Sequence, residues 1–312
     1  MSAFQSIRES KIVRRKLMWG LIFISPWLIG LIGFTAYPIG ASLVYSLTDY
    51  AIMSPPKWVG IENYVEMLTD DDLFSKSLSN TVIFALLSVP SSIAVAFGLA
   101  LLLNQRLLGK AVFRTIIFVP TLVPSVALAI MWLWLFNPQF GVVNGMLWEL
   151  FGINGPGWLT DEDWSKPTLL LMSLWTVGYG VVIFLAGLQD IPQSLYEAAD
   201  IDGAGVAQKT RHVTIPLLTP VIFFQLVISI IAIFQIFTAP HVMTGGSGQP
   251  AKSLLFYVMY LYRQAFVYMK MGHASGMAWL LFLIILACTL VIFRTSGWVH
   301  YSGGERGTTT KT

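Results

Sequence analysis

The chain alternates long apolar runs with shorter polar stretches. Six runs are long enough to cross a membrane, near residues 17–45, 79–103, 112–136, 168–188, 217–239 and 274–294. A helix rising 1.5 Å per residue needs about 20 mostly apolar residues to cross a bilayer core of about 30 Å. The pattern therefore predicts an all-α polytopic membrane protein with six transmembrane helices. The first run exceeds the required length and carries Pro26, Gly30, Gly33 and Pro38. It is expected to tilt, with its far end projecting from the bilayer. It is too long for a secretory signal and lacks a small-residue cleavage site, so it reads as a retained first helix. Residues 1–16 are then a polar N-terminal segment, 17–294 the membrane domain and 295–312 a tail.

Charge sets the orientation. Six spans place both termini on one side. That side collects thirteen of the nineteen Lys and Arg residues, including Arg8, Arg14, Arg15, Arg106, Lys209 and Arg211; the other side has six. The excess assigns both termini and the loop 190–216 to the cytoplasm. Ten of the sixteen acids fall outside, in runs such as Asp70-Asp71-Asp72 and Asp161-Glu162-Asp163. The net charge of +3 comes from the basic N-terminus and the cytoplasmic loops and does not indicate nucleic-acid binding. Composition agrees: 55% of residues are hydrophobic and 11% charged, unlike a soluble domain. The outer segment 240–273 opens with the flexible turn Thr244–Gly248. It continues into the aromatic stretch Leu254–Met271, expected to lie as an amphipathic helix at the outer interface.

Residues 190–216 form the only long polar stretch between two spans that reads as helical. Asp190 or Ser194 can cap a helix starting near Pro192, and Ser194 and Glu197 have capping-box spacing. Ala198 and Ala199 keep that helix thin. Gly203 can take the left-handed conformation that ends it. A second short helix is expected from Val206 to His212, turning into the next span at Pro216.

The missing chemistry narrows the class. No phosphate-binding GxxxxGK[ST] is present; Gly109-Lys110 is followed by Ala111. No acidic or basic residue falls inside a span, Arg114 and Arg294 lying at span ends, which argues against an ion-driven carrier or a charged-ring channel. His212, His241, His273 and His300 lack metal-ligand spacing, and Ser91, Ser92 and Ser173 have no local base. Cys288 is alone and reads as packing. The residues therefore describe a membrane protein with a docking loop and no engine, with a secondary carrier and a membrane scaffold as the alternatives.

The run Glu197-Ala198-Ala199, Asp202-Gly203-Ala204 and Ile215-Pro216 resembles the EAA loop of ABC importer permeases. Pro26–Gly30 with Tyr37-Pro38, Gly60-x-x-Asn63-Tyr64, and Thr244-Gly245-Gly246 followed by Tyr262–Phe266 are similar to signatures of the sugar-uptake branch, the maltose- and lactose-type permeases. Ser247 departs from that pattern, which often has Pro there. The resemblance implies a type I importer permease fold in a bacterial or archaeal cell membrane. It implies a coupling helix over Glu197–Ala204 seated in a cleft of an ATPase subunit. It also implies a second permease subunit, two ATPase subunits holding ATP and Mg, and an extracytoplasmic solute-binding protein. No cofactor is expected on this chain.

A neutral sugar needs hydroxyl-matching hydrogen bonds and aromatic faces rather than charge. The span before the loop offers Trp175, Thr176 and Tyr179, with Trp175 and Tyr179 on one face. The span after it offers Gln225, Ser229 and Gln235. In maltose-type permeases these two helices supply the substrate contacts, and Gln235 lies where the family places an amide. Trp175, Tyr179, Ser229 and Gln235 are thus the candidate contacts, with Gln225 expected to matter less because it lies nearer the cytoplasmic end. An importer for glycerol phosphates or another small polar solute is the alternative within the class.

Overall fold

A computed structural model describes residues 11–105 and 108–299. The basic segment up to residue 10, Arg106, His300 and the tail from residue 300 lie outside the described residues. The chain order is α1 (Lys11–Leu31), α2 (Tyr37–Ser46), a short β-ribbon, α3 (Glu62–Thr69), α4 (Asp72–Asn104), α5 (Lys110–Phe118) and α6 (Ser125–Leu135). There follow α7 (Val142–Phe151), α8 (Glu162–Trp175), α9 (Gly178–Gln189), α10 (Gln193–Ile201), α11 (Val206–Lys209) and α12 (Ile215–Leu217). The last are α13 (Thr219–Phe234), α14 (Thr238–Thr244), α15 (Tyr257–Tyr262) and α16 (Met271–Arg294). Among the described residues, four helices are long and apolar enough to cross a membrane, or up to six if each of two bent pairs is one span.

The bent pairs differ from the uninterrupted spans that the apolar runs suggest. Residues Lys110–Leu122 and Ser125–Leu135 meet at 100°, and Glu162–Trp175 and Gly178–Gln189 at 48°. Pro120 and Pro124 flank the first break: neither can donate a backbone hydrogen bond, and the α-helix tightens into a 3-10 turn at Val119–Leu122 before stopping. At the second break, Thr176 closes α8 with both its backbone N–H and its hydroxyl bonded to the Ser173 carbonyl, at 3.2 and 3.0 Å.

The chain divides into two compact units. One comprises residues up to Glu66 together with Gln264–Trp279. Its α1 and α2 form one continuous helix, Ile12–Ser46, joined by a π-helical turn at Ile32–Ala36. That turn precedes Pro38, whose ring cannot supply the helical hydrogen bond, and the widened turn absorbs the mismatch. Asn63 explains the signature around it. It is buried, and its amide donates to the carbonyls of Ser46 at 2.9 Å and Thr48 at 3.0 Å. The Tyr64 hydroxyl donates to Ser46 Oγ at 2.9 Å, and Gly60 supplies the left-handed turn that starts the motif.

The other unit comprises Met67–Arg263 and residues from Leu280 onward. Its core runs along α4. Ala96, Ala100 and Leu103 pack against Val181, Phe184, Leu185 and Leu188 of α9 and against Leu218. A second cluster joins Phe84, Leu169, Leu254 and Phe256. This corrects the expectation of an interfacial helix: its first part, Leu254–Tyr260, is buried in protein rather than lying on a membrane surface. The reason is polar pinning. Asn80 of α4 donates to the carbonyls of Lys252 and Leu255, at 2.8 and 2.9 Å, and Thr81 Oγ1 accepts from the Tyr257 backbone at 2.9 Å. Phe256 and Tyr257 then meet Phe84 and Phe74 edge-on. The departure at Ser247 also has a defined shape. Its N–H and its hydroxyl both donate to the Thr244 carbonyl, at 3.1 and 2.6 Å, and proline could supply neither bond.

Candidate coupling loop and substrate sites

The loop 190–217 follows from local backbone chemistry. α10 begins after Pro192 rather than at a side-chain cap. Asp190 closes the preceding helix, and Ser194 lies inside the first turn, so the expected Ser194–Glu197 capping box does not form. The reciprocal side-chain bond occurs one helix later, where Gln208 Oε1 accepts from the Gly205 N–H at 2.8 Å. Glu197 is exposed and takes no part in capping the helix.

The end of α10 accounts for the spacing of its small residues. Gly203 has φ +73°. Its N–H bonds to the Asp200 carbonyl at 3.1 Å, while the Ala204 N–H reaches back to the Ala199 carbonyl at 2.9 Å. This is the Schellman pair of bonds, and it requires a left-handed residue where Gly203 sits. Past it, α11 runs through a π-helical turn at Thr210–Thr214 into α12, extending the second helix expected at Val206–His212 as far as Leu217. Two contacts staple the loop: Tyr196 and Thr214 share a hydroxyl–hydroxyl bond of 2.9 Å, and Lys209 pairs with Asp200. Ile201 and Val206 flank the glycine at 88% and 79% exposure, a pair of apolar side chains left bare in a polar loop.

The membrane-depth candidates divide between two faces. Trp175 and Tyr179 are largely exposed; Trp175 meets Trp132 edge-on at 5.5 Å and Tyr179 meets Phe118 at 5.3 Å. Gln235 is exposed where α13 ends. Ser229 instead lines a cavity of about 240 Å³ between α4, α9 and α13. Gln225, which the sequence ranks below Gln235, is buried in the wall of the same cavity. Thr176, offered by the sequence beside Trp175 and Tyr179, also lines it, as do Ser88, Ser92 and Gly180; Ser88 and Gly180 were not evident in the sequence, although a Ser88–Ser92 pair four residues apart in an apolar helix is a readable sign. Among the described residues, no group of three or more His, Cys, Asp or Glu is placed to hold a metal.

Residues 92–300 match the model of the binding-protein-dependent transport system inner membrane component. The chain belongs to this permease family. A probable ABC transporter permease of Bacillus subtilis, YesP, is 40% identical over 96% of this chain and 97% of its own length. The lactose transport permease LacF of Rhizobium radiobacter is 37% identical over 88% and 92%. The sulfoquinovosyl glycerol permease SmoG of Agrobacterium fabrum is 32% identical over 88% and 89%. In fold, the permease is similar to a chain of a bacterial alginate ABC transporter crystallised with an alginate-bound periplasmic protein. That likeness has a TM-score of 0.80, covers 97% and 99% of the two chains, and is at 22% identity. The permease is thus a multi-pass inner-membrane component of a bacterial ABC transport system, close to sugar-uptake permeases, and is not itself catalytic. ATP hydrolysis resides on separate chains of such systems.

Proposed function

We propose that this permease carries a neutral sugar inward as one half of a heterodimeric pore, driven by two ATPase subunits and fed by an extracytoplasmic solute-binding protein. The observation that carries the reading is the coupling loop, where Ile201 and Val206 stand bare on either side of a helix end fixed by Gly203. Bare apolar side chains on a polar cytoplasmic loop suit burial in a partner. Glu197, Ala198, Ala199, Asp202, Gly203 and Ala204 are the contact segment. Trp175, Tyr179, Ser229 and Gln235 are the substrate contacts, and their lack of charge favours a neutral sugar over a glycerol phosphate.

The test is purification from the native membrane. An ATPase should co-purify, and the complex should accumulate sugar only with ATP and the loaded binding protein. Uptake by the isolated chain on a proton or sodium gradient would make it a secondary carrier instead. Glu197→Lys should weaken ATPase association about tenfold or more, a loss of ~1.4 kcal/mol, because it reverses a charge at the docking surface. Glu197→Gln keeps length and hydrogen bonding and should cost less. Equal, wild-type association in both would reduce the loop to a connector. Tyr179→Ala and Gln235→Ala should each lower transport about threefold to tenfold, corresponding to one lost hydrogen bond or stacking face. The binding protein's affinity should be unchanged. For orientation, a cysteine at Gly203 should resist an impermeant thiol reagent added to intact cells, while one at Glu162 should react.

A further inference from the structure

The helix α7 is apolar but too short to span. Its ten residues rise about 15 Å, half of a bilayer core. None of its side chains is buried. It is nonetheless fixed along one side, where Val143, Asn144 and Leu147 are partly covered. The Asn144 amide donates to the carbonyls of Pro138 at 3.2 Å and Pro156 at 3.5 Å, and its Oδ1 accepts from the Trp158 indole N–H at 2.6 Å. Trp158 packs in turn on Phe136, where α6 ends. A second side carries Val142, Met146 and Leu150, four residues apart and all exposed. Gly145 lies about 100° round the helix from Met146 and, with Glu149, marks a third side.

Three observations say what covers the bare stripe. The first is continuity with a membrane helix. Val126, Ile130 and Trp134 are exposed at the same four-residue spacing along α6, and α7 packs against α6. The second is charge. No basic residue lies between Arg114 and Lys166, and Glu149 is the only charged residue from Ser125 to Thr160. A surface that docks a soluble protein carries a polar rim, which this stripe lacks. The third is tryptophan. Five of the eleven tryptophans fall within residues 132–164, and this side chain collects where membrane meets water.

We infer that α7 lies in the plane of the membrane interface and anchors the loop between α6 and α8 to lipid, with Val142, Met146 and Leu150 in the acyl edge. The anchor requires only that the permease spans a membrane, whatever it carries. With no basic residue nearby, the attachment is apolar and needs no anionic headgroup. Glu149 and Gly145 turn toward water. Asn144 then holds Trp158 and the carbonyls of Pro138 and Pro156 at a fixed depth. The interfacial part expected of residues 254–271 thus falls to α7, since Leu254–Tyr260 are covered by protein.

The experiment uses the intact importer in nanodiscs of phosphatidylcholine alone, with Cys288→Ser as the background. A nitroxide is attached at Met146→Cys, Leu150→Cys or Gly145→Cys, and the signal of the labelled background importer is subtracted. Nothing lies within 4 Å of a Cβ at Gly145, so this control spares the fold. Power saturation compares collisions with oxygen, which concentrates in lipid, and with a water-soluble nickel chelate. The oxygen-to-nickel ratio at Met146→Cys and Leu150→Cys should exceed that at Gly145→Cys about tenfold, as for a stripe ~5–10 Å below the headgroup boundary. Equal ratios at the three positions would place α7 in water and overturn the anchor. Access of neither reagent to Met146→Cys would assign the stripe to a partner subunit and overturn it. Nickel access to Met146→Cys that disappears only when the binding protein is added would make the stripe a protein-docking surface and overturn it as well.

Discussion

Gly203→Asp is expected to lower sugar uptake at least about tenfold while leaving the permease in the membrane. The left-handed conformation costs a residue with a Cβ about 1 kcal/mol relative to glycine. Nothing lies within 4 Å of a Cβ at this position, so the effect comes from backbone strain and added charge rather than a clash. The strain falls on the bonds to Asp200 and Ala199, which fix where α10 stops and where Ile201 points. A misplaced contact helix should leave ATP hydrolysis unresponsive to the loaded binding protein. Asparagine tolerates the left-handed region, so Gly203→Asn should retain more transport than Gly203→Asp. Near wild-type uptake in Gly203→Asp, at equal membrane abundance, would show that the shape of this helix end does not matter for coupling.

Gly178→Val is expected to act on the fold itself. A Cβ at Gly178 would lie 2.7 Å from the Ile117 carbonyl oxygen and 2.7 Å from Thr121 Cγ2, with the Phe118 backbone at 3.1 Å. Backbone must move, not a flexible side-chain end. Such overpacking costs ~1–3 kcal/mol or more, which should lower the melting temperature of the detergent-purified permease by about 5 °C or more. Gly98→Ala is the control. It sits within α4 with nothing within 4 Å of a Cβ, and should be neutral or slightly stabilising. A stable Gly178→Val would mean that the two bent helix pairs can separate at little cost.

The long apolar runs were legible because span length depends on composition alone. The breaks were not. Pro90 and Pro167 lie inside unbroken helices, whereas Pro120 and Pro124 flank a 100° bend. Proline removes a hydrogen bond in each case, and tertiary packing decides whether the helix continues. The backbone of the loop 190–217 could be read closely because Ala199, Gly203 and Ala204 act through bonds at most five residues apart. The missing capping box was a local error, since Pro192 moved the helix start by enough to place Ser194 inside it. The cavity could not be read, because Ser88 and Gln225 meet only after three distant helices turn matching faces together.

The pinning of residues 252–257 by α4 also sets an order on biogenesis. Asn80 and Thr81 leave the ribosome more than 170 residues before the backbone groups they hold. Until then, the N-terminal half of α4 presents an amide, a hydroxyl, Phe74 and Phe84 with their later partners missing. That end of α4 therefore stays without its packing partners through most of synthesis. A chain cut short before residue 257 keeps most of its hydrophobic segments yet carries that unfinished surface. Such fragments should be cut by protease faster than the full chain, because the surface that residues 252–257 cover stays open.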